Sequence, residues 1–233
     1  MLIDLSHTIE HGMTTHPGLP APLICDYLSR EASRTKYAAG VEFQIGKIEM
    51  VANTGTYIDS PFHRYAEGKD LAALQLERLA GLDAVVVRMQ AGAGGGAGAA
   101  TARGIGWTTF EGLELRGRAV LVATGWDRHW RTECYGRENP FLTADACQRL
   151  RDAGVALVGI DSVNIDDLDD WARPAHSILL GAEIPIVEHM CNLTSLPDRG
   201  LRFWAVPPKV AGFGTFPVRA FVETAVNAVN SER

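Results

Sequence analysis

Cysteine is scarce and unpaired in sequence. Cys25, Cys134, Cys147 and Cys191 are scattered with no CxxC spacing, so the pattern gives no disulfide framework and points to a reducing compartment. Positive charge is in deficit. The 22 Lys and Arg face 28 Asp and Glu, a net charge of −6, and no basic run or RNA-binding motif offers a surface for nucleic acid or an anionic membrane. No apolar run reaches the roughly 20 residues of a membrane-spanning helix. The opening Met1-Leu-Ile-Asp-Leu-Ser-His7 lacks the basic and apolar regions of a signal peptide. The expectation is a cytoplasmic protein. No repeat and no linker divides the chain, so residues 1–233 are expected to form a single domain.

The patterning present is that of an α/β protein. Residues 2–6 alternate as a short strand. Residues 16–22 are dense in proline and glycine, a stiff loop suited to one wall of a pocket. Residues 43–51 alternate with period two and predict a strand with one buried face. A short helix is expected within 71–79. Buried strands are expected at 84–88, 118–124 and 155–160, with a helix at 143–153 capped by Thr143 and stopped by Gly154. Strand, helix, strand with short turns is a βαβ signature of parallel sheet. Strands or turns are expected at 178–180, 184–187 and 201–206, and a last strand at 218–222. Residues 91–102, a run of Gly and Ala, read as a flexible surface loop.

One stretch concentrates chemistry: Asn53-Thr-Gly-Thr-Tyr57-Ile-Asp59-Ser-Pro61-Phe-His63. Gly55 permits close backbone approach, and Pro61 fixes the exit of the chain between Asp59 and His63. A second group lies far along the chain, with His176 in Arg173-Pro-Ala-His176 and Glu188 after 184–187. Carboxylates and imidazoles from distant segments suit a divalent metal with a position left for water. Each residue also has a plain reading: Asp59 as a turn cap, His63 or His176 as a hydrogen-bonded histidine, Glu188 as a first surface residue. Trp126 and Trp171 suit an aromatic pocket or the core. His129 and Trp130 follow a strand end, where ligand-facing loops occur. His7 and His11 are expected to face solvent. The acidic run 166–170 lacks the EF-hand spacing and reads as a solvated loop.

The 53–63 segment resembles the HxGTHxDxPxH motif of the cyclase-type metal-dependent hydrolases, which include bacterial kynurenine formamidase and isatin hydrolase. The resemblance extends through Ile3-Asp-Leu-Ser6, Thr124-Gly-Trp126, Gly159-Ile-Asp-Ser162, 173–188 and Asn192-Leu193. It implies one domain with mixed sheets in a swivelling β/α/β, barrel-like arrangement. It also implies hydrolysis of a small amide, lactam, lactone or formamide, no organic cofactor, and a homodimer. Two motif histidines are replaced here, by Asn53 and Tyr57. What carries over is one divalent metal, Zn or Mn, on Asp59, His176 and Glu188. His63 resembles the catalytic acid/base. Tyr57 and Asn53 stand where they would stabilise charge or orient substrate. His16 takes the place of an aromatic pocket residue, and Trp126 is the other expected substrate contact. These changes argue against kynurenine formamidase activity itself. They leave open a metal-free binding or regulatory protein and a Tyr/His acid–base enzyme.

Overall fold

The computed structural model describes residues 1–16, 18–89 and 103–224. The glycine-rich run 91–102 lies outside them. One nine-stranded mixed sheet dominates. Its order is β1 (Leu2–Asp4), β13 (Phe221–Thr224), β11 (Leu201–Trp204), β5 (Ala80–Arg88), β7 (Ala119–Ala123), β9 (Leu157–Ile160), β10 (Ile186–Glu188), β4 (Tyr57–Asp59) and β12 (Thr215–Pro217). The four central strands β5, β7, β9 and β10 are parallel, and antiparallel strands flank them on both sides. The sheet curls into a half-barrel. The N-terminal segment bridges its two arms. Leu5 N donates to Ala220 O next to β13, Cys191 N donates to Leu5 O, and Ser6 pairs with Met190 just past β10.

Each face of the sheet carries its own core. Alternation sends Val86, Leu121, Phe203 and Val222 into one cluster. It sends Val85, Val120, Val122 and Ile160 into the other, against helices α2 (Ala144–Ala153) and α3 (Pro174–Gly181). Leu121 and Leu150, both fully buried, contribute about 1.5–3 kcal/mol each. The expected βαβ unit is β7–α2–β9, with β7 and β9 parallel neighbours. The Thr143 hydroxyl accepts from Ala146 N at 3.3 Å, and Gly154 ends α2 at φ 74°. The cap is worth about 1 kcal/mol.

Several local expectations are corrected. The 178–180 run is helical, inside α3. An apolar triplet fits either period, and Pro174 at the first turn selects the helix. Residues 71–79 hold only a 3₁₀ turn at Leu76–Arg78. The last strand is two short ones, β12 and β13, separated by Val218 to Ala220. Residues 43–51 do form a strand, β3 (Ile45–Glu49), but none of it is buried. It pairs with β2 (Leu23–Leu28) as a separate two-stranded sheet, with α1 (Arg30–Ser33) between the two strands in sequence. A further small pair joins β6 (Gly104–Ile105) to β8 (Phe141–Leu142).

Candidate active site

The register of β10 on β4 places Glu188 opposite Tyr57 and Ile186 opposite Asp59. Side chains alternate along a strand, so Tyr57, Asp59 and Glu188 share one face, at the carboxyl end of β10. That is the face α3 packs on, and α3 supplies His176. Thr215 of β12 pairs with Asp59 on the other side. Ligand sites in parallel sheets form beyond such strand ends.

Gly55 shows why the approach to β4 is so restricted. It sits at φ 67°, and a Cβ there would lie 2.8 Å from Ile9 Cγ1. Its N–H donates to Thr15 Oγ1 at 2.9 Å. Thr56 Oγ1 accepts from His7 N and donates to His189 O. These bonds seat β4 against the N-terminal segment and the strand-end residues after β10.

The side chains meet around His176. Its Nε2 is 3.7 Å from Asp59 Oδ2 and 3.7 Å from Glu188 Oε1. Its Nδ1 is 2.6 Å from Asp166 Oδ2. Asp59, His63 and His176 each present a ligand atom within 4.8 Å of the others. Glu188 is held from two directions. Ile165 N donates to Oε1 at 2.6 Å and the Tyr57 hydroxyl donates to Oε2 at 2.7 Å. Asn53 lies beside Tyr57 and pulls its pKa down slightly against the larger upward shift. The proton expected to meet an oxyanion is therefore committed to Glu188.

Burial governs the electrostatics. Asp59, Asp166 and Glu188 are all buried, and Asp59 Oδ2 has no hydrogen-bond partner. Three carboxylates surround one imidazole. Burial pulls the His176 pKa down, but Glu188, Asp166 and Asp59 together raise it well above its usual value. Burial pushes Glu188 up, to about 7, against the pull of His176. Burial, then Glu188 and Asp59, push the Tyr57 phenol far up, so its hydroxyl stays protonated and remains a donor. An excess of buried negative charge with an unpartnered carboxylate oxygen is what a divalent cation neutralises. The donor set of oxygen and imidazole suits one.

His63 stands at the edge, about one-third exposed. Its Nδ1 lies 2.8 Å from Thr215 Oγ1, and that hydroxyl donates to Asp59 Oδ1 at 2.5 Å. With its proton spent on Asp59, Thr215 accepts from His63 Nδ1–H, which leaves Nε2 as the basic nitrogen. Thr215 and Asp166 were missed in sequence, because each acts through another residue and belongs to no motif.

These groups border a cavity of about 530 Å³ whose lining includes His16, Asn53, Tyr57, His63, His176 and Glu188. Trp171, 90% exposed, stands at its rim. Trp126 is not among the described lining residues. Its Nε1 donates to Tyr135 O at 2.9 Å and its ring packs on His129, so the expected substrate contact is not brought to this cavity. His7 does not face solvent freely. It stacks on Trp130 at 4.0 Å, and burial lowers its pKa to about 4. His11 stays exposed, with Nδ1 accepting from Ile24 N. The 166–170 run is solvated only in part, since Asp166 is fully buried.

The Cyclase family model matches residues 3–167. The chain belongs to the Cyclase family. It is 29% identical over 226 residues to a kynurenine formamidase of Bacillus cereus, covering 94% of this chain and 96% of that protein. Among solved structures, isatin hydrolase A from Ralstonia solanacearum superposes with a TM-score of 0.76 at 19% identity, over 97% of this chain and 92% of that one. A potential metal-dependent hydrolase with cyclase activity gives 0.74 at 22% identity, over 95% and 96%. The Cyclase match spans Asn53, Tyr57, Asp59, His63 and Asp166. His176, Glu188 and Thr215 lie beyond it in sequence and join the same site through the fold.

Proposed function

We propose that this Cyclase-family chain is a metal-dependent hydrolase of a small amide, lactam, lactone or formamide. The observation that carries the reading is the set of three buried carboxylates around His176 beside the cavity, with Asp59 Oδ2 unpartnered. The named relatives, a formamidase and an isatin hydrolase, both open C–N bonds next to a carbonyl. Asp59, His176 and Glu188 would hold one divalent metal, Zn or Mn. When bound, it supplies a Lewis acid for the carbonyl and lowers the pKa of water.

The chain's own residues handle the proton. His63 Nε2 takes it from the attacking water, and Thr215 keeps Nδ1–H in place meanwhile. The same Nε2 returns the proton to the leaving nitrogen or oxygen, so the products are a carboxylate and an amine or alcohol. This step is worth about 10²–10⁴-fold. Tyr57 holds Glu188 in orientation, and Asn53 and His16 face the substrate space. A cavity of this size takes a small molecule.

A second reading is a metal-free Tyr/His acid–base enzyme or a binding protein. One observation favours it: the Tyr57 hydroxyl already donates to Glu188, so one candidate ligand has a protein partner. Metal analysis of protein purified without chelator separates the readings. The metal reading expects close to one zinc or manganese per chain, lost in His176→Ala together with hydrolysis of an aryl formamide or isatin. Activity that persists in chelator without metal would establish the second.

Two further features belong to the same reading. Exposed, unpaired Cys25 and Cys134 suit a reducing cytoplasm. Among the described residues no helix is long and apolar enough to cross a membrane. The protruding β2–β3 pair suits a homodimer contact.

A further inference from the structure

The loop between β9 and α3 touches the site twice. Its Ile165 amide holds Glu188 Oε1, and the next residue, Asp166, holds His176. Asp166 is fully buried, and its two oxygens divide the work. Oδ1 accepts from Ala175 N at 2.6 Å. Oδ2 accepts from His176 N at 3.2 Å and meets the ring Nδ1 at 2.6 Å. The loop is itself anchored. Asn139 Nδ2 donates to Asp166 O and Asn164 O, and Asn164 Oδ1 accepts from Asp166 N. Arg173, at the start of α3, has a left-handed backbone and gives no side-chain cap. Asp166 supplies that cap from outside the helix.

We propose that Asp166 is the positioning residue of this site. Its carboxylate takes the Nδ1 proton of His176 as a hydrogen bond and turns Nε2 toward Asp59 and Glu188, where a bound metal would displace any Nε2 proton and take the lone pair. A carboxylate behind a ligating imidazole fixes both ring orientation and tautomer. The inference rests on the reading that His176 is a metal ligand. The geometry also separates it from a capping role alone. In Asp166→Asn the amide oxygen can keep the shorter bond from Ala175 N and gives up only the 3.2 Å one from His176 N, so most of the cap survives. The amide NH₂ then faces Nδ1 as a donor. That forces the ring proton onto Nε2, where the lone pair is needed.

The test is zinc affinity by competition with a chromophoric chelator, on the full chain and on Asp166→Asn, with Asp169→Asn as the exposed control from the same run. We expect Asp166→Asn to bind zinc about 10–100-fold more weakly, with its metal-free melting temperature lowered by only about 2–4 °C for the one cap bond lost and the control unchanged. Unchanged zinc affinity in Asp166→Asn would overturn the proposal and leave Asp166 a helix cap. A second measurement does not depend on the variant folding. In ¹⁵N-histidine-labelled wild type, His176, assigned by its loss in His176→Ala, should show a protonated Nδ1 with a low-field proton. An unprotonated Nδ1, or a Nδ1 proton without the low-field shift, would refute the assignment. If wild type binds no zinc, the ligand reading of His176 fails, and the low-field shift of this proton, which marks its bond to Asp166 whether the ring is neutral or charged, decides the role of Asp166.

Discussion

Gly214 has room for a hydrogen and nothing larger. A Cβ there would lie 2.6 Å from both Cα and N of His63, and its carbonyl accepts from Ser60 N at 2.7 Å. The clash is with backbone, so no side chain can swing aside. Gly214→Ala must displace His63 or β12, and with it the Thr215 hydroxyl. We expect about 1–3 kcal/mol of destabilisation and about a 10²-fold loss of turnover, read by denaturant unfolding and steady-state kinetics. Unfolding and turnover matching wild type would show that the His63–Thr215 contact does not govern activity. At this scale the sequence was informative wherever a residue carries its own chemistry. Asp59, His63, His176 and Glu188 stood out by type and spacing, and the fold brings them together. Thr215 and Asp166 did not, because a hydroxyl or a carboxylate that orients another side chain is chemically ordinary in sequence. Gly214 could not either, since its role is a distance to a residue 151 positions earlier, the difference between 214 and 63.

The β2–β3 pair is the element whose environment was misjudged. Period-two alternation in 43–51 identified a strand, but alternation cannot say what covers the apolar face. Here the described chain covers neither face of the pair. Tyr27 is 77% exposed and Ile48 56%, with Leu23 and Ile45 also exposed. A two-stranded sheet is marginally stable alone, and several exposed apolar residues on so small an element suit an association surface. With the homodimer proposed above, the double variant Tyr27→Glu, Ile48→Glu should halve the mass seen by light scattering while leaving the circular dichroism spectrum intact. An unchanged mass would place the contact elsewhere or show a monomer throughout. Elements were legible where caps and periodicity agreed, as in α2. They were ambiguous where a short apolar run fitted two periods, as at 178–180 in α3.

For the molecule as a whole, the buried carboxylates are a stability question as much as a catalytic one. A metal bound only by the folded chain adds free energy by mass action. At about 100 times its Kd the gain is about 2.7 kcal/mol, or roughly 5–10 °C in melting temperature for a chain of this length. Scanning calorimetry of chelator-treated protein, with and without zinc or manganese, should show that shift, and His176→Ala should abolish it. No shift with either ion would count against a metal in this site.

The chain separations in this site set a schedule. Tyr57 waits for Glu188, 131 residues later, and Asp59 waits for Thr215, 156 residues later. During synthesis the motif segment therefore emerges well before its counterparts. A ribosome-bound fragment therefore has no finished pocket in which to hold an ion, and its acidic residues remain hydrated. Under the metal reading, ion capture waits until β10 and β12 have docked on β4. A chain truncated before β12 would lose the contact that seats His63, however well its parallel strands had formed.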